Sequence, residues 1–113
     1  SYFAEDADFQ LFTPKDIWPF SGKYRGRAAI QKRLQNILSD FHVDRFSPRT
    51  ILAHDSEMRT QIDFTFRHRS SGQTIDGVMR VIARTENGQI VRWHEYQDLD
   101  RVEAFMRLVN SQS

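Results

Sequence analysis

Gln89–Asp98 reads Gln-Ile-Val-Arg-Trp-His-Glu-Tyr-Gln-Asp, and its pairing with the strand before it decides which face of the fold is the interior. It follows an Asn87-Gly88 turn and alternates as a strand does. Trp93 and Glu95 are two residues apart and so share a face. If that face is inward, Glu95 is an ionisable group in apolar surroundings, which is raw material for acid–base chemistry.

Two hairpin registers compete. A two-residue type I′ loop pairs Glu86 with Gln89 and sets Glu95 opposite Arg80. A three-residue loop, with Gly88 in a left-handed bulge position, pairs Thr85 with Gln89 and sets Glu95 opposite Met79. A one-residue slip flips every side chain relative to the partner strand, so face sorting arbitrates. The three-residue register gathers Met79, Val81, Ala83, Val91, Trp93 and Glu95 on one face. It leaves Arg80, Ile82, Arg84, Ile90, Arg92 and His94 on the other. The two-residue register mixes arginines with Trp93, so the three-residue loop is the expectation.

The preceding hairpin reads similarly. With Ser71-Gly72 turning and Ser70 opposite Gln73, Phe64 faces Met79, Ile62 faces Val81, and Asp63 meets Arg80 on the opposite face. A one-residue change of loop turns Asp63 inward toward Glu95 as a second candidate acid, but sends Ile62, Phe64 and Phe66 outside.

Working outward, Glu57–Arg69 and Thr74–Glu86 read as long strands, and Val43–His54 as a strand that Pro48 confines to an edge or a bulge. Gly26–Phe41 is helical, with Ile30, Leu34, Ile37, Leu38 and Phe41 on one stripe and Lys32, Arg33, Gln35, Asn36 and Ser39 opposite. Asp98 or Asp100 caps a closing helix that buries Val102, Phe105, Met106 and Val109. Asp8–Thr13 is a first strand stopped by Pro14, and Pro14–Tyr24 is a loop rich in aromatics. The opening Ser-Tyr-Phe-Ala-Glu-Asp-Ala-Asp lacks an initiator Met and reads as the tail of a helix, so an upstream segment is expected. The order is strand, helix, four-strand meander, helix: an α+β layout with a mainly antiparallel sheet.

The totals bound the function. A chain of 113 residues and 13.4 kDa, 39% hydrophobic and 27% charged, fits one globular domain over residues 1–113. A net charge of +1 provides no general field for nucleic acid. The absence of Cys excludes disulfide and thiolate chemistry and suits a cytoplasmic setting. No apolar run approaches the roughly 20 residues of a membrane helix. His42, His54, His68 and His94 show no ligand-pair spacing, and there is no phosphate loop or nucleophile elbow, so neither metal nor cofactor is expected.

Three blocks together resemble the nuclear transport factor two-like superfamily, in particular its SnoaL-like branch. They are Tyr2-Phe3-Ala4-Glu5-Asp6-Ala7, Tyr24-Arg25-Gly26-Arg27-Ala28-Ala29-Ile30, and Asn87 through Asp98. The resemblance implies a cone-shaped domain: a curved sheet wrapped on helices around a pocket, with a first helix upstream of Ser1 and dimerisation through the outer sheet face. It also limits the chemistry. Limonene epoxide hydrolase places a catalytic acid at the position of Glu95 but needs an Arg-x-Asp pair, and Gln61 and Asp63 (or Ile62 and Phe64) stand there instead. Its water-holding positions correspond to Phe9 and Leu11, which cannot hydrogen-bond through their side chains. The ketosteroid isomerase base likewise falls near Leu11. Polyketide cyclases of the SnoaL branch use a single acid–base residue in an apolar pocket, a role open to Glu95.

The expected site therefore has Glu95 as acid–base residue, with Asp63 as the lesser candidate. Trp93, Met79, Phe64, Ile62, Val81 and Leu11 form the pocket wall, and Trp18, Phe20 and Tyr24 close the mouth around a small apolar molecule. The chemistry would be of isomerase or cyclase type. The alternative is a non-catalytic dimeric module using the outer sheet face. A cavity of roughly 300 Å³ or more with Glu95 on its wall separates the two.

Overall fold

Asn87 and Gly88 adopt φ of 52° and 78°, and Glu86 pairs with Gln89, which makes this connection a two-residue type I′ turn. The register does not continue unbroken. Thr85 opposes Ile90 but Arg84 opposes Arg92, leaving Val91 as an extra residue on the second strand. Beyond this bulge, Ala83 faces Trp93 and Val81 faces Glu95. The three-residue loop is thus corrected, and so is the pairing of Glu95 with Met79. The bulge restores the parity that the turn removes, so beyond it the face sorting holds: Met79, Val81, Ala83 and Glu95 are buried while Arg80, Arg84 and Arg92 are exposed; before it Ile90, expected beside the arginines, turns to the inner side.

The computed structural model describes residues 2–111. Its elements run β1 (Phe3–Leu11), β2 (Gly22–Arg25), α1 (Arg27–Asp40), β3 (Phe41–His54), β4 (Glu57–His68), β5 (Thr74–Glu86), β6 (Gln89–Tyr96) and α2 (Leu99–Ser111). The strands form one six-stranded sheet in the order β2-β1-β6-β5-β4-β3. All neighbours are antiparallel except β1 and β6, which run parallel with Phe9 beside Trp93 and Leu11 beside Glu95. The curved sheet does not close, and the two helices pack into it. The architecture is the expected α+β cone.

β3 is an edge strand, as Pro48 requires, with irregularities between Val43 and Arg45 and between Pro48 and Thr50. The β4–β5 register lies two residues from the expected one: Phe64 faces Gly77, Ile62 faces Met79 and Asp63 faces Val78. The loop is longer than Ser71-Gly72, its base closed by His68 N–H donating to the Gln73 carbonyl at 2.8 Å. A shift of two preserves parity, so Ile62, Phe64 and Phe66 stay buried. Gly77 is where the bulk of Phe64 goes, because a β-carbon there would sit 2.6 Å from Phe64 Cζ.

At the N-terminal end the helix tail is corrected: β1 begins at Phe3, its backbone paired with β6 and with Ala4 and Ala7 buried beneath it. Strand β2, read as loop from its Pro- and Gly-rich surroundings, adds to β1 with Tyr24 beside Phe9. Phe41 leaves the helix to start β3, and its ring centres an aromatic core with Trp18 (5.2 Å), Phe66 (6.5 Å) and Phe105 (6.2 Å). Asp98 caps α2 through Oδ1, which accepts from Arg101 N–H at 3.3 Å. Glu103 reaches Arg107 rather than completing a capping box.

Candidate functional site

Between the inner face of the sheet and helix α1 lies a cavity of about 430 Å³. Strand β6 brings Trp93 and Glu95 to its wall, β5 brings Met79, β1 brings Phe3 and Phe9, and β3 and β4 bring Val43, Phe46 and Phe66. Helix α1 lays Ile30, Arg33, Leu34 and Ile37 across it, and Trp18 reaches it from the loop. The surround is almost wholly hydrocarbon, interrupted by two charged groups, Glu95 and Arg33.

Glu95 is 6% exposed. Its Oε1 accepts from Trp93 Nε1–H at 3.1 Å, a contact made possible because alternate residues share a strand face. Burial raises its proton affinity above the ordinary 4.5, since a carboxylate loses its hydration there. The charge of Arg33 and the Trp93 hydrogen bond pull in the opposite direction without cancelling it.

The helical stripe had set Arg33 on the solvated side of α1; the structure corrects this. Arg33 is 9% exposed and follows Ile30 by three residues and precedes Ile37 by four, on the inner face. Leu34 and Leu38 are instead 52% and 40% exposed. What permits a buried guanidinium is a built seat. Its Nε–H donates to the Phe20 carbonyl at 2.9 Å, and its central carbon lies 4.3 Å from the Phe9 ring centre and 5.6 Å from that of Tyr24. Desolvation lowers its pKa, with Glu95 and Tyr24 opposing, and a guanidinium is so strong a base that it stays charged at neutral pH. Spacing from Ile30 and Ile37 was the one signal that could have found it.

The remaining expected residues divide. Glu95, Trp93, Met79 and Trp18 line the cavity. Leu11, Ile62 and Val81 are buried in the core without reaching it, and Phe64 turns toward Gly77. Phe20 and Tyr24 do not close a mouth: Phe20 packs on Trp18 at 5.2 Å, and the Tyr24 hydroxyl donates to the Phe20 and Ser21 carbonyls. Tyr2, Leu34 and Phe46 are the exposed members of the lining.

Asp63 points to the other face of the sheet, where Arg49 Nη2 and Arg45 Nη2 lie 2.8 and 3.5 Å from its oxygens. It meets neither Arg80, which opposes Gln61 and Tyr96, nor Glu95. A larger groove of about 650 Å³ runs over that outer face, but Arg45, Arg49, Asp63, Asp76 and Arg80 wall it with solvated charge. The buried charged side chains, Arg33 and Glu95, are both on the inner cavity. Among the described residues, no group of three His, Cys, Asp or Glu could hold a metal ion, and no helix is long and apolar enough to cross a membrane.

The family profile of the SnoaL-like domain matches residues 1–93. The chain belongs to the SnoaL-like family. Its fold is similar to that of a provisionally named isomerase from Rhodopseudomonas palustris, at TM-score 0.84 and 15% identity, covering 93% of this chain and 78% of that one. An NTF2-like protein from Burkholderia xenovorans superposes at TM-score 0.78 with 20% identity over 91% and 76% of the two chains. A provisionally named SnoaL-like polyketide cyclase from Mesorhizobium loti gives 0.70 and 15% over 84% and 78%. No curated protein matches the SnoaL-like chain in sequence.

Proposed function

We propose that this SnoaL-like chain binds a small apolar molecule in its cone and that Glu95 moves a proton on it, in chemistry of the isomerase or cyclase type. The observation that carries this reading is a buried carboxyl on the wall of an apolar cavity of about 430 Å³. That volume lies in the range of small-molecule sites, roughly 300–1,000 Å³. Trp93 holds Oε1, which leaves Oε2 of the protonated carboxyl to give a proton at one position of the molecule and take one back from another. A carboxyl whose proton affinity is lifted toward neutrality passes protons both ways more readily than one at its ordinary value. The isomerase and cyclase names of two structural neighbours agree with this class of reaction. A carbon-detected NMR titration of Glu95 tests it: a midpoint clearly above 4.5 is expected, and a midpoint at or below it removes the acid–base role.

The second reading, a module dimerising through the outer face, is favoured by Leu52, Ile82 and Tyr96, which border one hollow there. Phe12 stacks on Tyr96 at 4.8 Å, both about two-fifths exposed. Sedimentation equilibrium showing a monomer at micromolar concentration would exclude it.

A further inference from the structure

Of the two charged groups on the cavity wall, the proposed proton transfer uses only Glu95. Arg33 is nine-tenths buried, and its Nε–H bond to the Phe20 carbonyl, with a contact to Tyr24, employs only part of its five donors. A buried cation is stable when it has a counter-charge. Glu95 is the one carboxylate beside Arg33 on the cavity lining, and the two make no direct ion pair among the described residues. Glu95 has one oxygen committed to Trp93 and sits where burial favours its neutral form. The guanidinium is also held in place before any ligand arrives, seated over Phe9 and tied to the loop carbonyl. An anchored, charged and incompletely neutralised donor set facing a hydrocarbon cavity is the arrangement that recognises an amphiphilic anion.

We infer that the cavity takes a largely apolar molecule bearing one anionic oxygen group, a carboxylate or an enolate, with Arg33 as its counter-charge. The hydrocarbon part would lie among Phe3, Phe46, Phe66, Val43, Ile37 and Met79. A cationic ligand of the same shape is repelled by Arg33, and a neutral one leaves the guanidinium uncompensated. This rests on the cavity being a ligand site, as proposed above, and adds the charge of the ligand.

The test uses the full chain and three probes of one shape at pH 7: 2-naphthoate, 2-naphthylmethanol and 2-naphthylmethylammonium. Binding is read by titration calorimetry, with quenching of the cavity tryptophans Trp18 and Trp93 as a second signal. Naphthoate should bind about tenfold or more tighter than the alcohol, because a charge-assisted hydrogen bond outweighs a neutral one, and the ammonium should bind weakest. In Arg33→Gln the acid should lose that advantage while the alcohol changes little, and Arg33→Lys should restore part of it. Loss of a purely structural Arg33 would weaken all three probes alike. If acid and alcohol bind the wild-type chain equally, the anion preference is overturned while the cavity stands as a ligand site. If no probe binds, the ligand-site reading falls and takes this inference with it. Should Arg33→Gln fail to fold, the wild-type ranking of acid over alcohol still decides.

Discussion

Replacing Glu95 by Gln should remove a pH dependence of stability with a defined sign and window. Below about pH 4.5 the carboxyl carries its proton in both the folded and the unfolded chain, so the stability difference between wild type and Glu95→Gln is flat. Above that value the unfolded chain releases the proton while the folded chain, where burial raises the affinity, retains it. The unfolded state then binds fewer protons, and wild-type stability falls relative to the variant by up to about 1.4 kcal/mol per pH unit. The fall ends when pH passes the folded-state value, where the curve flattens again. Two other displaced groups, both of which titrate in acid or near neutrality, act in the opposite direction. His94 is shifted down by burial and by Arg92, so its contribution is lost as pH falls below 6.5. Asp44 is shifted down by its bond to His42 and costs stability only below about 3.8. Both are present in wild type and variant and cancel in the difference. Urea denaturation at steps between about pH 4 and pH 8, with midpoint and slope fitted at each, measures that difference. A flat or rising difference would show that Glu95 ionises in the folded chain at least as easily as in water, and would refute the reasoning from burial.

Two further outcomes are expected. Gly77→Ala sets a β-carbon 2.6 Å from Phe64 Cζ and 2.9 Å from Cε2, so the chain should lose about 1–3 kcal/mol in urea denaturation, part of it recovered by Phe64→Leu in the same chain. Trp93→Phe removes the 3.1 Å hydrogen bond to Glu95, so the NMR titration midpoint of Glu95 should move further up; no shift or a downward shift would show that the bond does not hold the charged form.

Where apolar period and turn chemistry pointed the same way, the sequence was readable. Thr74–Glu86 needed no adjustment, and the alternation of Ile62, Phe64 and Phe66 placed their face inward despite a hairpin register two residues out. The β5–β6 hairpin was harder, because its turn and its inner face demand opposite parity, and only the extra Val91 reconciles them. A bulge leaves no mark in a hydrophobic pattern beyond such a conflict. Arg33 was missed because its burial depends on partners remote in sequence: a loop carbonyl at Phe20 and a strand ring at Phe9. Within the helix a seated arginine looks like a solvated one. The expected pocket members Leu11, Ile62 and Val81 failed for a different reason, since inward orientation does not distinguish a core residue from a cavity wall.

The parallel seam between β1 and β6 has a consequence for the order in which the molecule assembles. Strands β3 to β6 join neighbours through tight connections, whereas the side-chain bond from Thr13 to Gln97 spans 84 positions. Closing a loop roughly twentyfold longer than a hairpin's costs about 2.6 kcal/mol more in chain entropy, at roughly 0.6 kcal/mol per doubling. The meander can therefore form early, and β1 is added to it late. Phe9 and Trp93, both on the cavity wall, lie side by side across that last seam, so one wall of the cavity is completed at the end of folding and is among the first to part when the chain opens locally.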